Sequence, residues 1–346
     1  MPPKFFIGAD ISKETIDFAV LRHNEVISQV KIENTEKAVR KYLISLSKDF
    51  KCSSVNSLLC AENMGIYCTF LCKVSFSRKL RLCLESPLRI KRSLGIQRGK
   101  NDAIDAVRIA TYAKKNFASL AFWVPPRQII EQLKLLNAAR HKLLKIKIAL
   151  TVTTKIRRYF LTDKQLAEIT NYSILSVTAV AKDVTELESK IDALIASDPR
   201  LNRLKEIIVS IPLLGKKIAT ELIIETNEFL NFESSKKLAS YCGVAPFQWS
   251  SGTSIKGRPR VSQIANKRLK SLLHLPAMSA AKNTNNYFSE YYKRKSLEGK
   301  NKMVILNAIK NIFLRVVFRC VKTDTLYHEI KYGKQPGDIS TVHIYE

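Results

Sequence analysis

A chain of 346 residues, 46% of them hydrophobic, is long enough for two or three buried cores and too apolar to be a disordered basic tail. Its 58 Lys+Arg against 30 Asp+Glu give a formal net charge of +28, which favours a polyanionic partner because each phosphate that meets a cation releases counterions. No apolar run approaches the length of a membrane span, Met1 to Lys4 lead into Phe5 without signal-peptide flanks, and seven cysteines fit a reducing cytoplasm.

Phe5 to Ala9 is a continuous apolar run ending at Asp10, the pattern of a central strand, and Ile16, Phe18 and Val20 alternate as a half-buried strand should. Val26, Val30 and Ile32 mark a third strand. Thr35 opens a helix to about Ser47, Leu58 to Ala61 form a strand ending at Glu62, and Leu82 to Leu84 form another, closed by Pro87. Three strands in a row followed by alternating helices and strands predict an α/β layer with a mixed sheet. Cys68 and Cys72 stand at i,i+4, but no nearby His or second Cys pair completes a zinc set, so both are expected to be buried apolar side chains.

Pro125-Pro126 reads as a linker. Beyond it Leu136, Leu143 and Leu150 recur every seven residues, and Val177, Val180, Val184, Leu187, Ile191 and Leu194 form a heptad seam broken by Asp198-Pro199. Such a seam either folds back as a hairpin within the chain or pairs between chains. From about Arg200 the pattern becomes shorter helices, with one polar, glycine-containing stretch from Gln248 to Gln263. The expected division is 1–125, 126–200 and 201–346.

Four acids stand out because acids are scarce. Strands ending in Asp10 and Glu62, and a helix capped near Asn101 with Asp102 and Asp105 at i,i+3, would turn carboxylates towards one point. Hard oxygen ligands of this kind hold Mg²⁺, and phosphodiester chemistry uses such sites. For any one of these acids alone, a surface position or a favourable place at a helix N-terminus is the ordinary explanation. A second constellation, Gly243 to Arg258, sets Ser250, Ser251 and Ser254 among glycines with Lys256, Arg258 and Arg260 nearby; on residues alone it is an ordinary basic loop. A third, Ile211-Pro212-Leu213-Leu214-Gly215-Lys216-Lys217, is a turn opening a helix, able either to grip a nucleic-acid backbone or simply to join two helices. The basic run Arg78, Lys79, Arg81, Arg89, Lys91, Arg92, Arg98 and Lys100 leads into the acid pair, either drawing a strand towards it or forming a solvated face.

Taken together, Ile7-Gly8-Ala9-Asp10, Glu62-Asn63-Met64-Gly65, Lys100-Asn101-Asp102-Ala103-Ile104-Asp105, Ile211-Pro212, the Ser-Gly loop and Leu275-Pro276-Ala277-Met278 resemble the insertion-sequence-110 family of DEDD transposases, which includes Piv-type invertases. The resemblance implies an RNase H-like (RuvC-like) N-terminal domain, a helical coiled-coil segment and a mainly helical C-terminal transposase domain. It also implies that Asp10, Glu62, Asp102 and Asp105 bind Mg²⁺ and that Ser251, with Ser250 and Ser254 as alternatives, forms a phosphoserine link to DNA. Target and donor DNA, a structured noncoding guide (bridge) RNA, and a homodimer or homotetramer acting at the nucleoid of a prokaryotic cytoplasm come with it. The chain departs from the family pattern at Leu213, where glycine is common, at Gln263-Ile264-Ala265, and at Lys270, where arginine is common. Two other readings fit the residues: a RuvC-like nuclease using only the acids and water, and a noncatalytic nucleic-acid-binding protein.

Overall fold

The computed structural model describes residues 3–93, 95, 101–157, 160–251, 255–282 and 286–328. They fall into two compact units, Met1–Pro126 and Arg127–Glu346.

The first unit is built on strands β1 (Phe5–Ile11), β2 (Thr15–Arg22), β3 (Glu25–Glu33), β4 (Ser57–Glu62) and β5 (Leu82–Glu85). Their order across the sheet is β3-β2-β1-β4-β5. The first three strands pair antiparallel as a meander, whereas β4 and β5 run parallel to β1 and to each other. This order and mixture of directions is the mixed sheet that the strand and helix pattern predicts, in the RNase H-like arrangement that the resemblance implies. Helices α1 (Glu36–Asp49), α2 (Thr69–Ser77), α3 (Pro87–Ser93) and α4 (Asp102–Asn116) supply the two outer layers. Thr35 starts α1 as expected, its hydroxyl accepting from the Ala38 backbone N–H at 3.2 Å.

Alternation along the strands decides which side chain meets which layer. Phe5, Ile7, Ala9, Ile11, Leu59 and Ala61 pack with Val39, Leu43 and Leu46 of α1 and Leu71 and Val74 of α2. The intervening Phe6, Leu58 and Cys60 join Cys83 and pack beneath Ile109, Ala110, Tyr112 and Ala113 of α4. Helix α4 approaches β1 so closely that a Cβ on Gly8 would stand 2.0 Å from the Ala106 carbonyl oxygen and 2.5 Å from the Ala110 nitrogen. Glycine is required there because backbone meets backbone. All seven cysteines are free and buried.

The second unit contains α5 (Gln128–Arg157), α6 (Asp163–Ala196), α7 (Pro199–Ser210), α8 (Lys216–Thr226), α9 (Ser235–Tyr241), strands β6 (Pro246–Ser251) and β7 (Ile255–Val261), then α10 (Lys267–Leu272), α11 (His274–Ala280), α12 (Tyr287–Leu297) and α13 (Lys302–Thr323). Helices α5 and α6 pack on each other, so the heptad seam closes within the chain as a hairpin. A capping box formed by Thr162 and Gln165 starts its second arm. The hairpin is not a separate body. Ile130, Leu133, Ile191 and Ile195 belong to the same buried cluster as Leu201, Leu222, Phe288, Ile309 and Phe313, so the residues expected as an independent segment share the C-terminal core. No helix among the described residues is long and apolar enough to cross a membrane.

Because the close crossing at Gly8 has no room for a methyl group, Gly8→Ala is expected to lower stability by at least about 2 kcal/mol, read from the denaturant midpoint. An unchanged midpoint would show that α4 does not touch β1.

Candidate active site

The crossing of α4 over Gly8 fixes where its N-terminus falls. Asn101 caps the helix, its side-chain oxygen accepting from the Ala103 backbone N–H at 3.0 Å, and Asp102 and Asp105 occupy the first turn. Asp10 lies two residues beyond Gly8 on β1 and therefore on the same face of the sheet. Glu62 follows Leu58 and Cys60 on that face of β4, one step past the Ala9–Ala61 pair. The four acids expected to act together are thus gathered at one end of the α4 side of the sheet.

Strand register adds two acids that the sequence reading did not single out. Asp17 is paired with Asp10 across β1 and β2, and Glu85 with Glu62 across β4 and β5. Together with Lys31, which is paired with Asp17, they make a row across all five strands: Lys31, Asp17, Asp10, Glu62, Glu85. The signal was present as alternation along each strand, but it becomes readable only once strand partners are known.

The row is not uniform. Asp17 is neutralised by Lys31 at 3.2 Å, and the same ammonium stands 3.6 Å from Asp102. Asp105 pairs with Arg108 at 2.6 Å. Glu85 accepts from the Ser86 N–H at 3.0 Å, the Arg89 guanidinium at 3.0 Å and the Tyr112 hydroxyl at 2.9 Å. The side-chain carboxylates of Asp10 and Glu62, side by side in the middle, have no hydrogen bond or ion pair among the described residues.

Electrostatics mark the same two groups. Burial, and then the charges of Glu62, Asp102, Asp105 and Asp17, push the Asp10 carboxyl up to about 6. Burial and Asp105 push Glu62 up as well. Among the described residues no three His, Cys, Asp or Glu side chains converge closely enough to enclose one ion. The donor set nevertheless fits a hard divalent cation: oxygen ligands only, two of them unpartnered, in a place whose excess negative potential a cation would relieve. Cys68 helps to shape the turn after Glu62, donating to the Glu62 carbonyl at 3.4 Å and accepting from the Met64 N–H at 3.2 Å.

In the second unit, Ser251 ends β6 opposite Ile255, and exposed Ser250 is paired with Lys256. Ser254 lies outside the described residues, as do Arg98 and Lys100 of the basic run. The turn Ile211 to Gly215 joins α7 to α8, but its lysines are engaged: Lys216 with Asp192 at 2.7 Å and Lys217 with Glu188 at 2.8 Å. Leu213 adopts φ +72°, the left-handed region that favours glycine, the residue expected there from the family resemblance.

Both the acid-bearing RNase H-like unit and the helical unit that follows it in the chain match DNA transposases. Residues 7–159 match a transposase model of the DEDD type of IS110, and residues 205–293 match the model described as Transposase IS116/IS110/IS902 family. The chain belongs to this family of transposases, whose DEDD acids imply use of a divalent metal ion. It is 27% identical over 323 residues to the pilin gene-inverting proteins of Moraxella bovis and Moraxella lacunata, covering 92% of this chain and 96% of each relative. Over 152 residues it is 32% identical to the insertion element IS110 uncharacterized 43.6 kDa protein of Streptomyces coelicolor, covering 44% of this chain and 36% of that protein. Thermus thermophilus RuvC, solved in complex with Holliday junction substrate, overlaps 34% of this chain and 99% of its own at 8% identity and a TM-score of 0.28.

The raised Asp10 carboxyl gives a pH dependence of known sign. The folded protein holds this proton more tightly than the unfolded chain, so in chelator stability falls as pH rises from about 4 to about 6. Asp10→Asn is expected to flatten that fall and to be more stable at pH 7 by about 1 kcal/mol, allowing for solvent screening of a half-buried group. Thermal melts across the window check it, and a variant melting below wild type at pH 7 contradicts it.

Proposed function

We propose that this chain is an RNA-guided DNA recombinase that cleaves and rejoins DNA through a covalent phosphoserine at Ser251, with Mg²⁺ held by Asp10, Glu62, Asp102 and Asp105. The observation that carries the acid assignment is the close crossing of α4 at Gly8, which sets Asp102 and Asp105 over two unpartnered carboxylates. Asp10 and Glu62 would be the direct ligands from the strands, with Asp102 and Asp105 completing the set from the helix. When bound, Mg²⁺ would neutralise phosphate oxygens and favour ionisation of an oxygen nucleophile. Lys31 stands beside Asp102 and Arg108 beside Asp105, which limits the repulsion among the carboxylates.

The serine step conserves bonds. The Ser251 oxygen forms a bond to phosphorus, one deoxyribose oxygen departs and takes a proton, and the serine ester replaces the phosphodiester. A hydroxyl of the incoming strand then attacks the same phosphorus and the serine oxygen leaves. One phosphodiester is exchanged for another, so no nucleotide hydrolysis is needed. The acids belong to one compact unit and the serine to the other, and completion of the site between protomers of a homodimer or homotetramer is part of the proposal. Guidance by a structured bridge RNA that pairs with target and donor DNA is supported by the family resemblance and by the net charge of +28. The relatives named for pilin gene inversion support rearrangement of DNA as the outcome.

Incubation with labelled DNA and Mg²⁺ is expected to give a protease-sensitive adduct on a denaturing gel, lost in Ser251→Ala and retained in Ser250→Ala. Asp102→Asn is expected to slow cleavage at least about 100-fold, some 2.7 kcal/mol of barrier. If wild type cuts without an adduct and Ser251→Ala cuts equally well, the acids act alone with water. Sequencing the RNA that copurifies with the protein tests guidance, and a sample with no enriched structured species rules it out.

A further inference from the structure

Five charged side chains in the described residues are buried: Asp17, Arg140, Glu221, Glu228 and Lys310. Four have an opposite charge at hand. Asp17 meets Lys31, Arg140 meets Glu188 at 2.8 Å, Glu221 meets Arg268 at 2.6 Å, and Glu228 meets Arg127 and Arg200, each at 2.7 Å. Lys310 is the exception. It is 5% exposed on α13, beside the core residues Ile309 and Phe313, and makes no hydrogen bond or ion pair with any described residue.

Its charged neighbours make the exception sharper. The group acting on Lys310 is another cation, Lys270 of α10, and the group on which Lys310 acts is His274, at the start of α11. Burial and Lys270 push the Lys310 ammonium below the ordinary lysine value, and burial and Lys310 push His274 down. The Nδ1 atom of His274 is buried and has no partner. Neither Lys270 nor His274 forms an ion pair among the described residues. A buried ammonium flanked by two half-buried basic groups, with no carboxylate among the described residues to pair it, is costly unless an anion joins them.

Their place in the fold says which anion. Gly243 has φ +65°, and a Cβ there would stand 2.5 Å from the Ala265 Cβ and 3.7 Å from the Lys270 Cδ, so the lysine stem runs along the backbone just before β6. One turn before Lys310, Asn307 donates to the Val244 carbonyl at 2.8 Å. The cluster therefore sits at the root of the hairpin that carries Ser250 and Ser251. We propose that Lys310, Lys270 and His274 form a binding site for a phosphodiester of nucleic acid, which supplies the counter-charge that the fold itself does not. The inference rests on the reading of this chain as a nucleic-acid enzyme. It requires only binding, not cleavage. The two ammonium groups act as point charges on the phosphate oxygens, and His274 Nδ1, as the tautomer that carries its proton there, donates to a third.

The test uses the full-length protein in EDTA, a random-sequence DNA duplex and an RNA hairpin as separate probes, and the variants Lys310→Met and Lys270→Gln. For at least one polymer, each variant is expected to bind several-fold more weakly, with a plot of log affinity against log salt shallower by about 0.7–0.9. Lys310→Met is also expected to melt no lower than wild type, since the substitution removes an unpaired buried charge, and to lose any stabilisation that inorganic phosphate gives the wild type. Unchanged salt slopes for both variants on both polymers overturn the proposal, and a phosphate-dependent melting shift without a slope change leaves a free-anion site only and equally overturns it. Should Lys310→Met fail to fold, the slope of Lys270→Gln decides. A wild type that binds neither polymer sinks the broader reading as well, whereas one that binds both with variants indistinguishable from it sinks this site alone.

Discussion

The first unit depends on one contact, the passage of α4 across β1 at Gly8. A helix normally stands off a sheet by the thickness of two side-chain layers, and at Gly8 the strand contributes no side chain. The missing side chain sets the height of the helix, and the positions of Ala106 and Ala110 set its phase. Height and phase together determine where Asp102 and Asp105 lie relative to Asp10. Carboxylates would otherwise repel each other into solvent; they are held together because apolar packing further along the same helix, through Ile109, Tyr112 and Ala113, outweighs that repulsion.

The two units handle charge in opposite ways. In the first, acids are concentrated on one face of a chain that is otherwise strongly basic, and most of them are partly neutralised by Lys31, Arg89 or Arg108. The unpartnered pair, Asp10 and Glu62, stands in the middle of the row. In the second unit the buried acids Glu221 and Glu228 are well supplied with cations, and it is a lysine that is left over. In each unit the uncompensated charge is opposite in sign to the ligand suggested for it. A fold selected for stability alone would not keep either.

Much of this was legible from residues. The apolar run before Asp10, the alternation in β2, the run before Glu62 and the cap at Asn101 are local signals, and local signals survive in the structure because each agrees with its surroundings. Register was not legible, since pairing Asp10 with Asp17 and Glu62 with Glu85 depends on which strands become neighbours. The heptad seam was ambiguous for a related reason: periodicity describes a face of a helix and is silent about whether the opposing face comes from the same chain. The ion pairs of Lys216 and Lys217 were not legible either, because the acids that hold them, Asp192 and Glu188, are remote in sequence on α6. Lys310 gave no signal at all, being one lysine among many in a basic helix.

Leu213 carries a consequence for motion. A glycine at this turn would enter and leave the left-handed region freely, so nothing about the residue itself would oppose rearrangement of the link between α7 and α8. A leucine is held there against its own backbone preference by partial burial beside Ile211 and Leu214, and leaving that conformation means withdrawing its side chain from the core. With leucine in this place the joint works as a latch whose release is coupled to local loss of packing.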